Sequence, residues 1–303
     1  MRSDIVVATD FSPRSDRALR RATMLAKQFD MVLRLVNVVD DDQPQYLIDA
    51  QAAASRSILE ECVRTLGQVD GVTARAEVVT GDAFSGILRV AERVDPALIV
   101  VGPHRRQLRN AFAGTTAERT IARSRHPVLM AAGVPSSPYA RVLVAFDMDE
   151  ASMSAAKHKV GLPILERSGM IAMHAFDAPA EGMMRIGMTP AEAIHHYVAS
   201  EKRRVDGAFR ALLRDAGIGS APRMLVAVNG RPARTILEAA REAKASLVVV
   251  GTSQKRGLKR FLLGSVAEEL LADADRDILV VPHGYRGGEQ HPVPSDTEDM
   301  GAD

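Results

Sequence analysis

The chain has no tryptophan, a single cysteine, and only 4% aromatic residues among its 303. With aromatics so scarce and Ala, Val and Leu dominant, the composition suits helices packed on buried aliphatic strands better than an all-β sandwich. One thiol, Cys62, excludes an intrachain disulfide and a cysteine-based zinc site. Within "SILEECVRTL" it reads as a buried, inert side chain. Net charge is only +1, so there is no electrostatic case for nucleic acid or an anionic membrane as partner. No apolar run approaches the length of a membrane span. The amino-terminal "MRSDIVVATDFSP" turns after one short apolar run, so neither a signal peptide nor a membrane span is expected there. A reducing cytoplasm is the expected compartment.

Several signatures of catalysis and cofactor binding are missing too. A dinucleotide site needs Gly-x-Gly-x-x-Gly after the first strand, but the two candidate turns read "TDFSP" and "FDMDEAS", without glycine. The Lys-Ser/Thr of a phosphate-binding P-loop is absent. Ser12, Ser85 and Ser265 lie at helix starts, with no Gly-x-Ser-x-Gly elbow, so no catalytic residue is expected. His195 and His196 are adjacent and would point about 100° apart on a helix, which argues against a shared metal ion. His174, inside "MIAMHAF", reads as a packed or pocket-edge residue.

What is present is a repeat. "VTGDAFSGILRVAERVDPALIVVG", ending at Gly102, aligns without gaps on "VNGRPARTILEAAREAKASLVVVG", ending at Gly251. "DIVVATDFS" at Asp4 matches "RVLVAFDMD" at Arg141, and "RHPVLMAA" matches "RDILVVP". One unit is expected over residues 1–133 and a second over 139–286, joined by the Pro- and Ser-rich "GVPSSPY". The tail 287–303 has no apolar periodicity and many Gly, Pro and acidic residues, and it reads as disordered. Short β-rich runs alternate with amphipathic helical stretches in each unit, beginning with "DIVVA" and a helix capped by Ser12 with Pro13 at its first position. That alternation predicts an α/β fold: two tandem units, each with a five-stranded parallel sheet and helices on both faces. The second unit carries a longer insertion, 177–217, with Met183, Met184 and Met188. A Met-lined core is the expectation there, with a lid or interface as the alternative.

The glycine missing from the first turn comes after the fourth strand instead. "GTSQKRGLKRFLLGS" (251–265) and "GPHRRQLRNAFAGT" (102–115) follow buried apolar runs and precede helices. With the strand-end carboxylates Asp10 and Asp147, these loops make the chain resemble the universal stress protein family, as a tandem member, over residues 1–286. The resemblance implies an open flavodoxin- or Rossmann-like parallel sheet with ATP at its carboxyl edge. In nucleotide-binding members the loop runs Gly, two residues, Gly, nine residues, then Gly-Ser or Gly-Thr. The second unit keeps Gly251 and Gly264-Ser265 at the right spacing but has Gln254 at the second glycine. The first unit keeps Gly102, has Arg105 at the second glycine, and reaches Gly114-Thr115 one residue early.

By resemblance, Asp147, Phe176, Gly251, Gln254, Gly264, Ser265 and Val266 form the nucleotide site. Asp10, Val38, Gly102, Arg105, Gly114 and Thr115 are the weaker counterparts. Lys255, Arg256, Lys259 and Arg260 would add positive charge. Read from the residues alone, Gly264 also serves as a loop residue, Ser265 as a helix cap, and Asp10 and Asp147 as turn formers. Two functions therefore stay open. One is a cytoplasmic stress-response protein that binds ATP with Mg²⁺, mainly in the second unit, as a sensor or regulator with at most slow incidental hydrolysis. The other is a nucleotide-independent scaffold that serves dimerisation or a protein partner, with the last strand of each unit pairing across the pseudo-dimer.

Overall fold

The computed structural model describes residues 3–103, 114–148, 163–166, 168–228, 230–252, 263–283 and 285. The expectations for Arg105, for Gln254 and its neighbouring cations, and for the tail lie outside these residues.

The first unit runs β1 (Asp4–Ala8), α1 (Pro13–Phe29), β2 (Val32–Val39), α2 (Gln45–Thr65), β3 (Ala74–Thr80), α3 (Ala83–Val94), β4 (Leu98–Val101), α4 (Thr116–Arg123) and β5 (Val128–Met130). A π-helical turn, Leu66–Asp70, ends α2. The second unit runs β6 (Arg141–Ala145), α5 (Pro163–Glu166), β7 (Gly169–Phe176), α6 (Glu181–Ile186), α7 (Ala191–Asp215), β8 (Arg223–Ala227), α8 (Pro232–Glu242), β9 (Leu247–Gly251), α9 (Ser265–Ala272) and β10 (Asp277–Val281). Local chemistry explains the boundaries. Ser12 accepts the Ser15 N–H at the start of α1, Pro13 occupies its first turn, and Asp30 ends it in the left-handed region at φ 53°. In β1, β4 and β10 the central residues are buried on both faces, which is why they read as continuous Val/Ile/Leu runs rather than alternating ones.

All ten strands belong to one sheet, in the order β3-β2-β1-β4-β5-β10-β9-β6-β7-β8. Pairing is parallel within each unit. Among the described residues it turns antiparallel only where β5 meets β10, with Leu129 opposite Leu279. The predicted class is therefore observed, with the two five-stranded sheets fused into one mixed sheet. One core, on the face of α1, α2, α5 and α7, centres on Val7, Leu25, Leu35, Leu59 and Phe209. The other, beneath α3, α4, α8 and α9, centres on Val6, Ile99, Ile121, Leu237 and Leu270. Both cores run through the junction, because Leu129 and Leu279 face one and Val128, Met130, Ile278 and Val280 face the other.

The junction also holds a buried polar knot. Arg21 of α1 donates Nε to Asp277 Oδ2 at 2.8 Å, with the two side chains 4% and 1% exposed. Tyr139 donates its hydroxyl to the same carboxylate, and the Gly133 N–H donates to Asp277 Oδ1 at 2.7 Å. Arg21 also donates to the Ser137 carbonyl at 2.8 Å and stacks on the Tyr139 ring. One carboxylate thus gathers the first helix, the linker and the last strand. Burial and the Asp277 charge push the Tyr139 phenol well above its ordinary range, against the pull of Arg21.

Two expectations need correction. Met183 and Met188 are 75% and 91% exposed, so the insertion is not a Met-lined core. Its short helix α6 buries no residue and packs on α7 rather than on the sheet. Cys62 is half-buried, packing at the margin of the core. Burial, with the Glu61 and Asp16 charges, raises its thiol pKa.

Candidate functional site

In an open α/β sheet a ligand crevice forms beyond the carboxyl ends of the strands, where the strand order reverses. Here that point lies between β1 and β4 in the first unit and between β6 and β9 in the second. Asp10, Gly102, Gly114 and Thr115 gather at the first edge. At the second edge Asp147 follows β6, Gly251 ends β9, and Gly264, Ser265 and Val266 begin α9.

At the first edge the groups are already bonded to one another. Asp10 Oδ1 accepts the Ser12 N–H at 3.0 Å, and the Asp10 N–H donates to Ser15 Oγ at 3.3 Å. Burial pushes the Asp10 carboxyl up, but the hydrogen bonds from Ser12 and Ser15 outweigh it and hold the group below its ordinary value. Phe11 occupies the left-handed region at φ 59°, and its N–H donates to Thr9 Oγ1 at 3.1 Å. Gly102 faces the backbone of α1: a Cβ there would sit 2.8 Å from the Arg14 carbonyl oxygen. That close approach accounts for the glycine without a ligand. The start of α4 is closed by a capping box. Thr115 Oγ1 accepts the Glu118 N–H at 3.2 Å, and Glu118 Oε2 accepts the Thr115 N–H at 2.9 Å. The Thr115 N–H thus faces a carboxylate and the Glu118 N–H a hydroxyl.

At the second edge the helix end differs. The cap of α9 is Gly264, extended at φ −64° and ψ 148°, and no side chain caps the helix. Ser265 stands at the first helical position, exposed, and the Glu268 N–H bonds the Gly264 carbonyl at 3.0 Å. Among the described residues, Asp147 accepts only the neighbouring Met148 N–H, at 2.8 Å, and its carboxylate is exposed. Gly251 is the last residue of β9, opposite Val281. Phe176 is buried at the end of β7, its carbonyl taken by the Val228 N–H.

The registers correct one pairing. Ala8 lies opposite Val36 and Ala145 opposite Met173, which makes Val39, not Val38, the counterpart of Phe176. The Val38 side chain points at α3, where Gly86 leaves room for it. His174 is a packed residue: its Nδ1 lies 2.9 Å from the Phe146 carbonyl, and its ring packs against Phe209. His195 and His196 are exposed on α7, and no group of three metal-ligating side chains occurs among the described residues.

The model of the universal stress protein family matches residues 1–132 and again 138–282. The chain belongs to that family. A universal stress protein of Methanocaldococcus jannaschii is 31% identical over 149 residues, spanning 47% of this chain and 82% of the relative. A universal stress protein of Mycobacterium tuberculosis is 24% identical over 307 residues, spanning 91% of this chain and 96% of the relative. Among solved structures, a universal stress protein from Archaeoglobus fulgidus superimposes with a TM-score of 0.66 at 18% identity, covering 95% of this chain and 98% of that one. That likeness concerns the fold, and it extends through both units of a stress-response family.

Sequence reasoning passed over the capping box, although Thr115 and Glu118 spell its pattern. It also passed over the pairing of Asn37 and His174 with the first turns, and the knot around Asp277. No local pattern announces the last two, because their partners lie far apart in the chain.

Proposed function

We propose that this universal stress protein binds one ATP, with Mg²⁺, at the carboxyl edge of its second unit, as a cytoplasmic sensor or regulator rather than a catalyst. The uncapped start of α9 is the observation that carries this reading. Helix starts have N–H groups without intrahelical partners and the positive end of the helix dipole. Ser265, Val266 and Ala267 supply those donors to a phosphate chain, and the Ser265 hydroxyl adds another. Asp147 is an acceptor suited to a ribose hydroxyl or the adenine amino group. The metal would arrive with the nucleotide, bringing most of its own ligands. Among the described residues no side-chain base is paired with a nucleophile at this edge, so hydrolysis would be slow. The first unit would serve as a structural partner, its helix start closed by the Thr115–Glu118 capping box.

A second reading has its own support. The fused sheet and the buried knot at Asp277 suit a nucleotide-independent scaffold. Calorimetry with MgATP on the intact protein and on Gly264→Asp separates the two. Aspartate is a favoured helix cap, so the variant closes the end of α9 and adds a repelling charge without costing the fold. The expected result is micromolar binding near one nucleotide per chain, lost in the variant. A stoichiometry near two would return the first unit to function, and no heat at millimolar ATP would leave the scaffold.

A further inference from the structure

We infer that His174 is a positioning residue for Asp147, and that Asn37 holds the same post for Asp10. This rests on the nucleotide reading of the Asp147 edge. At the end of β1, the Thr9 N–H donates to the Val36 carbonyl at 2.9 Å. At the end of β6, the Phe146 N–H donates to the Met173 carbonyl at 2.8 Å. The next residue of the neighbouring strand then returns a side-chain donor to the same residue. Asn37 Nδ2 donates to the Thr9 carbonyl at 2.8 Å, and His174 Nδ1 pairs with the Phe146 carbonyl at 2.9 Å. Both groups are buried, at 7% and 8% exposure.

A carbonyl only accepts, so Nδ1 of His174 carries the hydrogen. The clamped carbonyl belongs to the peptide plane that contains the amide nitrogen of Asp10 or Asp147. Fixing it fixes the direction in which the chain leaves the sheet and the carboxylate projects. An amide does this work in one unit and an imidazole in the other. The retained property is thus a donor aimed at one carbonyl, not acid–base chemistry.

The units differ in what else holds the turn. Thr9 Oγ1 pairs with Ser15 Oγ at 3.1 Å and accepts the Phe11 N–H, so the first turn is tied several times over. Phe146 has no hydroxyl, and its ring packs on Phe209, 6.2 Å between centroids.

The test uses full-length His174→Leu and His174→Asn. Without ligand, hydrogen exchange over 145–148 should rise on the order of tenfold in the leucine variant, as one net hydrogen bond of stabilisation is lost. It should stay near wild type in the asparagine variant, which restores the donor used by the first unit. MgATP affinity should fall about tenfold with leucine, within about twofold of wild type with asparagine. In an Asp147→Ala background, His174→Leu should cost nothing further. Losses that multiply, an asparagine variant as weak as leucine, or faster exchange with unchanged affinity would each overturn the inference. Should wild type take no MgATP, the nucleotide reading fails by itself, and exchange alone decides the clamp: an unchanged 145–148 segment would sink it.

Discussion

The start of α4 and the start of α9 carry nearly the same local code, Thr115-Thr116-Ala117-Glu118 and Ser265-Val266-Ala267-Glu268, each a hydroxyl residue followed three positions later by Glu. Only the first closes into a capping box. In α9 the helix begins one residue earlier, so the Glu268 N–H takes the Gly264 carbonyl, where the Glu118 N–H takes the Thr115 hydroxyl. Ser265 is thereby drawn into the first turn and its hydroxyl is released from capping. The same four-residue pattern makes a sealed helix end in one unit and an open one in the other.

The largest expected effect tests whether the two units can be compared as separate bodies at all. Asp277→Ala leaves Arg21 buried without its partner and strands the Gly133 N–H and the Tyr139 hydroxyl. Loss of one member of a buried ion pair costs about 3–5 kcal/mol, read as a drop in the urea midpoint. The joint is one-sided: the repeat alignment with Ile99 opposite Val128 and Val248 opposite Ile278 puts Pro127 at the counterpart of Asp277. Proline offers no carboxylate for a mirrored knot. A loss under about 1 kcal/mol would mean that the sheet pairing and its apolar cores hold the units together without the knot.

A smaller effect addresses the helix ends directly. Thr115→Ala should destabilise by about 1 kcal/mol, the usual value of an N-cap. Ser265→Ala should change stability by less than about 0.5 kcal/mol, because its hydroxyl makes no cap. Equal losses by chemical denaturation would mean that both boxes close in solution and that the contrast between the units is absent.

Much of the fold was legible in the sequence because its signals are local. Ser12-Pro13 marked a helix start, "AFSGILRVAERV" marked α3, and buried aliphatic runs marked β4 and β9. The gapless repeat carried the same reading into the second unit. The site was legible only in outline. Gly102 looked like a place for a phosphate, yet the Arg14 carbonyl is what needs that space, and no local pattern records how near α1 comes to β4. Val38 and Phe176 looked equivalent until strand register set Val39 against Phe176. The methionines of the insertion looked like core because composition carries no direction. α6 packs on α7, and Met183 and Met188 are left exposed.

The smallest expected effect sharpens the comparison at the base of the last strands. The Arg276 hydrogen bond, opposed by burial and aided by Arg241, lowers the Asp275 carboxyl from 3.8 to about 2. Arg241 reaches it at 2.8 Å from α8, so the carboxylate ties that helix to the start of β10. A folded-state value below the unfolded one means that the ionised form supports the fold. Its contribution is complete above about pH 4 and fades as pH falls through about 2. The same register puts Arg125 at this position in the first unit, so this acid-sensitive tie belongs to the second unit alone. Asp275→Asn should narrow the difference in urea midpoint between pH 5 and pH 2.5 relative to wild type. Because the pair is partly exposed, added salt should shrink that difference further. An unchanged pH dependence in the variant would mean that solvent screens the tie completely, and the acid response would then have to come from carboxylates shared by both units.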